Sequence, residues 1–423
     1  MNAPSPPPSQ QASMLSRRMS RGVERAKEVP LDRENCVAFM LDEEGSRITV
    51  EDFRCLLMSA VLSGASDVTF QPDQSPRAEI YGVLYRTTRR PLAPSDVDTI
   101  LMETYGGANA RSEINGQEIL DYSYELNLPD GSRQRFRVNA TGIFGRDGQG
   151  VEVTMRALPS QTPTLKKVQI NSDEIKAMTP KDGIVVVAGA TGSGKSTTMA
   201  AVTRYHLEES ERPVKIVDIQ APIEYTFRDV TARLDGSPSI IGQSEVGRHI
   251  RSFAAGVHSA LRRKPNIINV GEARDLETIS ASVEAAMTGH LVYTTTHAHC
   301  VSVTIRRLLS AFPANERESR AYDLVLALRF VMVQNLVERA DRPGRVPVRE
   351  YLRFTDRLRE KLLSQPIANW SSIIDSEVSA PAADAGPDDL RQCFADVADT
   401  LHGQGIISKL DALRISNNKL VRE

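Results

Sequence analysis

The chain is poor in cysteine and in aromatic residues: its 423 residues include four cysteines, one tryptophan and only 5% aromatic side chains. Cys36, Cys55, Cys300 and Cys393 form no CxxC pair and no zinc-ligand spacing. A chain this long buries enough apolar surface to fold without disulfides, so reduced thiols and a cytoplasmic setting are expected. No apolar run approaches the ~18 residues that would cross a bilayer. The opening MNAPSPPPSQQASMLSRR lacks the apolar stretch of a secretory signal. Neither a transmembrane nor a secreted protein is expected. An excess of one charge is missing as well. The 52 basic and 54 acidic side chains leave a net charge of −2, without the basic footprint of a direct nucleic-acid binder.

What is present is organised in blocks. Residues 1–47 read as a weakly ordered tail, rich in Pro and Ser at first and basic from Arg17 to Lys27. Residues 48–158 mix helical and strand-like periods. Phe53, Leu56, Leu57, Ala60 and Val61 share a helical face that Gly64 closes, and Ser95 with Asp98 resembles a capping box. Short strand-like runs, one of them Arg77–Arg86, surround that second helix, and Pro129-Asp130-Gly131 turns one antiparallel pair. The pattern predicts an α+β domain. A Pro/Ser/Thr stretch at 159–164 opens a hinge linker over 159–170. From 171 to 310, continuous apolar runs (Ile184–Val187, Val214–Ile219, Asn266–Val270, Leu291–Thr296) alternate with helical ones. They predict a parallel sheet covered on both faces. Residues 311–423 read as mainly helical, with one β-like interruption between Phe330 and Leu352.

Gly189-Ala190-Thr191-Gly192-Ser193-Gly194-Lys195-Ser196 matches G-x-x-x-x-G-K-[ST] between a predicted strand and a predicted helix, the context of a phosphate loop. Its glycines let successive backbone N–H groups turn inward as an anion nest, and the positive end of the following helix adds to that field. Lys195 is placed to reach the β- and γ-phosphates, Ser196 to ligate Mg²⁺ and Thr197 to meet the α-phosphate. A second element, Ile267-Ile268-Asn269-Val270-Gly271-Glu272, carries an acid to a sheet edge. There the Glu272 carboxylate is placed to orient an attacking water, or to hold Mg²⁺ through one. His290 and His297 bracket the strand Leu291–Thr296. His297, at its C-terminal end, falls on the ligand side of an open α/β sheet, and His290 on the other.

In order, GATGSGKSTT, PIEY, VGEARDLETI and AAMTGHLVYTTTH resemble the Walker A, Asp-box, Walker B and His-box motifs of secretion ATPases of the PilT and VirB type. Ala65-Ser66-Asp67 and Arg135-Phe136-Arg137-Val138-Asn139 upstream, with Gln334-Asn335-Leu336 and Gly344-Arg345-Val346 downstream, extend the resemblance over residues 50–355. It implies an α/β protein in which a PAS-like α+β domain precedes a RecA-like P-loop NTPase domain and a mainly helical C-terminal region follows. It implies ATP and Mg²⁺ as cofactors, ATP hydrolysis coupled to domain closure, and a homo-hexamer docked on an inner-membrane secretion or conjugation complex. By the same resemblance Glu272 is the base or water-positioning group, Glu224 is the retained Asp-box acid and His297 senses the γ-phosphate. Arg135, Arg137 and Arg146 are candidates for the N-domain arginine that meets that phosphate.

Departures narrow the branch. Pilus motors commonly read Glu-Asp before the Asp-box proline and Asp-Pro-Asp before Walker B. Here Gln220-Ala221 and Lys264-Pro265-Asn266 stand in those places, so the expected carboxylates are missing. The four-cysteine module of extension motors is absent. Arg357-Leu358-Arg359-Glu360-Lys361-Leu362-Leu363 occupies the region where retraction motors carry Ala-Ile-Arg-Asn-Leu. The pattern is most similar to the DotB and TraJ branch, the ATPases of type IVB secretion and conjugation. A retraction-type pilus motor, a RecA-like nucleic-acid translocase and a nucleotide-gated platform without turnover are the alternatives.

Overall fold

The computed structural model describes residues 23–128, 131–146, 148–209, 212–233, 238–381, 386 and 388–416. The chain divides into two compact units, Met1–Ser160 and Gln161–Glu423.

In the first unit, helix α1 (Val50–Leu62) begins in a capping box: the Thr49 hydroxyl accepts from Asp52 N, and the Asp52 carboxylate accepts from Thr49 N. Strands β1 (Ala65–Phe70), β2 (Arg77–Ile80) and β3 (Val83–Arg86) follow, then α2 (Pro94–Tyr105), α3 (Ala110–Asn115), β4 (Leu120–Asn127), β5 (Arg133–Ile143) and β6 (Gly150–Ala157). The strands form one antiparallel sheet in the order β3-β2-β1-β6-β5-β4. Alternate residues of β4 and β6 face inward, and Phe53, Leu57, Ile100 and Leu101 of the helices share a core with Phe70, Phe136 and Met155 of the sheet.

Three expectations need correction in this unit. The tail read over 1–47 is part of the fold from residue 23 onward. Val23, Val29, Ala38, Met40 and Leu41 are buried in the same core, and Ala38 N and Met40 N donate to Arg86 O and Thr87 O. These apolar residues are scattered without period among charges, so they carry no pattern. Residues 1–22, with Arg17, Arg18 and Arg21, lie outside the described residues. The run Arg77–Arg86 is two strands, turned at Tyr81-Gly82, where both residues have positive φ (51° and 77°). The acid that caps α2 is Asp96 and not Asp98: the helix starts at Pro94, and Asp96 Oδ2 accepts from Ala93 N and Arg90 NH1.

The second unit opens with α4 (Ser172–Met178), β7 (Gly183–Ala188), α5 (Lys195–Glu209), β8 (Lys215–Gln220), α6 (Arg228–Arg233), β9 (Ile240–Glu245), α7 (Phe253–Leu261) and β10 (Ile267–Val270). It continues through α8 (Leu276–Met287), β11 (Leu291–Thr296), α9 (Val301–Ser310), α10 (Arg317–Ala327), β12 (Leu328–Glu338) and β13 (Arg345–Arg353). It closes with α11 (Asp356–Leu363), α12 (Trp370–Val378), β14 (Arg391–Gln392), α13 (Phe394–Gly403) and α14 (Lys409–Ser416). One sheet runs β14-β13-β12-β7-β11-β10-β8-β9, parallel from β12 to β9 and antiparallel at β13 and β14. Every residue of β7 is buried. Ile184 and Val186 pack with α7, α8, α9 and α10, while Val185 and Val187 pack with α4 and α5 on the other face. That double burial explains the continuous apolar runs.

Two more expectations change here. The boundary drawn at 310 cuts through one sheet, because β12 pairs directly with central β7 and brings β13 with it. The region 311–423 is therefore helical around a strand pair that completes the core. The hinge read over 159–170 is anchored to the second unit from Thr162 onward. The Thr162 hydroxyl donates to Asp229 Oδ1 (2.9 Å), its carbonyl accepts from Arg204 NH1 (2.8 Å), and Val168 and Ile170 are buried. Among the described residues no helix is long and apolar enough to cross a membrane.

Candidate functional site

The site lies at the C-terminal edge of the parallel strands, where an open α/β sheet exposes the loops that follow each strand. Central β7 delivers the loop Gly189–Gly194, and α5 opens at Lys195. Two glycines are required by a close approach. At Gly189 (φ 150°) a Cβ would stand 2.3 Å from Gln334 O and 2.5 Å from Ser193 Oγ; at Gly194 (φ 84°) it would stand 3.0 Å from Gln334 Nε2. Strand β12 thus passes directly beneath the loop. Ala190, Thr191 and Gly192 are exposed above it, and Ser193 is buried with its hydroxyl oxygen unpartnered.

Lys195 Nζ folds back over the loop and donates to Gly189 O (2.9 Å) and Ala190 O (2.8 Å). Burial lowers its pKa, and the carboxylates of Glu272 and Glu224 oppose that shift. Ser196 is exposed at the first turn of α5 and lines a small cavity with Thr203, Asp218, Gln220, Glu224 and Asn269. The Thr197 hydroxyl lies 3.0 Å from Tyr225 OH.

Strand β10 carries Gly271 and Glu272 past the same edge. Thr295 Oγ1 donates to Gly271 O (2.6 Å) and Ala273 N to Thr295 O (2.9 Å), which ties the Glu272 segment to β11. His297 follows β11, its Nε2 3.7 Å from Glu272 Oε1, and Arg274 NH1 stands 3.9 Å from Glu272 Oε2. Burial and the Lys195 charge lower the His297 pKa, and the Glu272 carboxylate opposes that shift. Lys195, Glu224, Glu272 and His297, expected from separate motifs, are brought to one edge. His290 lies at the opposite edge, where its carbonyl accepts from Gly183 N (3.0 Å).

The three candidate arginines belong to the first unit, and each faces an acid there. Arg135 is buried with Nε 3.8 Å from Glu125, Arg137 makes two bonds to Asp121, and exposed Arg146 lies 3.1 Å from Asp73.

The missing acids also find a physical account. Asp218, buried in the middle of β8, accepts from Gln220 Nε2 and Gln243 Nε2, each at 2.7 Å, and burial pushes its pKa up. A carboxylate at position 220 would face that one directly, so an amide suits the place. Lys264 and Asn266 precede β10, at the edge away from the phosphate loop, where Asn266 Oδ1 accepts from Lys215 N (2.8 Å). Sequence reading quoted Tyr225, Arg274 and Gln334 inside the motifs of the resemblance without giving them a role, and it passed over Asp218, whose signal is a charge inside the apolar run Ile216–Ile219.

A glycine-bound loop at the tip of a central parallel strand, a lysine over it, and an acid and a histidine on neighbouring strand ends define a P-loop nucleotide hydrolase. The family model "Type II/IV secretion system protein" matches residues 42–368. The chain belongs to that family and is one of its ATPases, which bind ATP and ADP. The type IV pilus retraction ATPase PilT of Pseudomonas aeruginosa is 31% identical over 77% of this chain and 89% of its own length. Among solved structures, the Legionella pneumophila ATPase DotB superposes with a TM-score of 0.79 at 35% identity, covering 90% of this chain and 100% of that one. The pilus retraction motor PilT with bound ADP gives 0.70 at 28% identity, over 87% and 98%.

Proposed function

We propose that this chain is the ATPase of a type IVB secretion or conjugal transfer apparatus, a cytoplasmic homo-hexamer that docks on an inner-membrane complex. The observation that carries the reading is the DotB likeness over the full length of that chain. The missing cysteine module and the Arg357–Leu363 sequence support it. The first unit is read as PAS-like and the second as RecA-like, with hydrolysis moving the two about the 159–161 stretch. The likeness to PilT makes a retraction-type pilus motor the second reading.

In the proposed chemistry the loop amides cradle the phosphates, and Lys195 exchanges its two carbonyl partners for the β- and γ-phosphate oxygens. Ser196 and Glu272 offer hard oxygen donors suited to Mg²⁺, which when bound neutralises β- and γ-phosphate charge. Glu272 orients and deprotonates the attacking water. His297 donates a hydrogen bond to the γ-phosphate, and Glu224 shapes the Ser196 side of the cavity. An arginine among Arg135, Arg137 and Arg146 neutralises charge that develops in the transition state, which requires it to leave its present acid.

Deletion in a strain that encodes this chain tests the branch. Transfer of plasmid or protein cargo is expected to stop while twitching persists, with rescue by the wild-type chain and not by Glu272→Gln. Lost twitching with intact transfer would replace the reading with the retraction motor.

A further inference from the structure

Gln334 is 2% exposed, and both ends of its amide are engaged, with the phosphate loop, the helix behind it and one arginine. Its Nε2 donates to Ser193 O (2.7 Å), and its Oε1 accepts from Thr198 Oγ1 (2.9 Å) and from Arg349 Nε (2.9 Å). A guanidinium only donates, so Arg349 fixes which end of the amide faces the loop. One side chain on β12 therefore ties the end of the phosphate-binding turn, at the carbonyl of Ser193, to the first turn of α5 behind it.

Arg349, opposite Gln334 in the β12–β13 register, is itself 5% exposed. Beyond Gln334 its fork reaches the carbonyl of Gln169 (2.7 Å) and that of Val168. Gln169 adopts φ 55°, an uncommon left-handed conformation for a non-glycine residue. Burial lowers the Arg349 pKa, and buried Glu174, which accepts from Asn171 N (2.8 Å), opposes that shift. The stretch so held is the one by which the chain enters the second unit. A continuous set of hydrogen bonds thus runs from residues 168–169 through Arg349 and Gln334 to Ser193 and Thr198.

We propose that Gln334 is a positioning residue for the phosphate loop, and that Arg349 couples it to the entry stretch 165–170, so that nucleotide binding and the placement of that stretch report on each other. A buried arginine needs acceptors in any fold, and a merely structural role would account for its bonds. The coupling adds a consequence that stability alone does not have: filling the loop changes the dynamics of residues remote from the phosphates. The inference rests on the phosphate-loop reading of the site.

Gln334→Glu separates the two roles. The carboxylate keeps acceptors for Arg349 and Thr198 but turns a lone pair, in place of a donor, toward Ser193 O. The dissociation constant for a fluorescent ADP analogue is expected to rise about tenfold, the worth of one lost buried hydrogen bond with repulsion added. Hydrogen exchange of residues 165–170, followed by mass spectrometry, is expected to slow on saturation of the wild type with ADP and to lose that response in Gln334→Glu at saturation. Arg349→Lys offers one ammonium for three acceptors. It is expected to lose the exchange response with a smaller loss of affinity, and it carries the test if Gln334→Glu does not fold. Wild-type ADP binding without an exchange response, or a response that survives in both variants, overturns the coupling alone. A wild type that binds no ADP overturns the phosphate-loop reading and the coupling together.

Discussion

At the scale of single residues, Lys195 and Glu272 make separable demands. Lys195 donates to two loop carbonyls, with its pKa lowered by burial and held up by two acids. Removing it takes the Lys195 ammonium away from the loop, so Lys195→Ala is expected to weaken ATP binding and abolish turnover. Glu272→Gln keeps volume and hydrogen-bonding reach and removes only charge and basicity. Binding is expected to persist while kcat falls roughly 10²–10⁴-fold, the range for loss of a general base. Phosphate release and equilibrium nucleotide binding, measured on both variants, check the pair. Wild-type turnover in both would remove these residues from the chemistry. Asp218 shows the same electrostatics in reverse. Its buried carboxylate takes both glutamine amides at 2.7 Å, so the loss of an acid at position 220 tidies a local charge problem.

At the scale of elements, strands β12 and β13 do more than extend the sheet. β13 also carries Glu350, whose Oε1 accepts from Val301 N (2.8 Å) at the start of α9. Burial raises its pKa to about 7 in spite of that bond. The folded state then holds the proton more tightly than the unfolded chain, whose value is near 4.5. The resulting stability is full below that value and is lost as pH rises through 7. Between pH 5.5 and 8 the wild type is expected to lose about 2 kcal/mol more than Glu350→Gln, from 1.4 kcal/mol per pKa unit. Urea unfolding of both proteins at the two pH values reads this out, and parallel losses would contradict it. His206 acts in the opposite sense. Packed with Tyr293 and pushed down to about 4, it contributes stability above pH 6.5 that is lost as pH falls toward 4. It is common to both proteins and cancels from the comparison. The strands β7, β8, β10 and β11 were legible in the sequence because burial on both faces writes a continuous apolar run. So was the placement of Glu272 and His297 on one edge, since strand ends of a parallel sheet share it. The β12–β13 pair was harder to place, because its runs stand among helical segments and its parallel partner is about 140 residues away, a pairing that no local period encodes. Gln334 and Arg349 escaped assignment for the same reason: their roles exist only where that pairing forms.

At the scale of the whole molecule, two facts bear on how the ATPase works. Each candidate arginine of the first unit already faces an acid of that unit, and the net charge of −2 offers no general field for nucleic acid. An arginine engaged in this way meets a nucleotide only if some rearrangement or a neighbouring subunit competes successfully for it. Turnover per subunit is therefore expected to depend on assembly. It should rise with protein concentration, reach a plateau as the measured mass reaches six subunits, and be indifferent to added single- or double-stranded DNA. Doping the wild type with Glu272→Gln sharpens the distinction, because sites that share residues across subunits lose activity faster than the fraction of wild-type subunits falls. A linear loss with flat concentration dependence would mean that each chain hydrolyses alone, and would remove the ring from the mechanism. Stimulation by DNA would revive the translocase reading. A stable hexamer that binds ATP without turnover would point instead to a nucleotide-gated platform, in which the placement of Glu272, 3.7 Å from His297, awaits a contact that the isolated ring does not make.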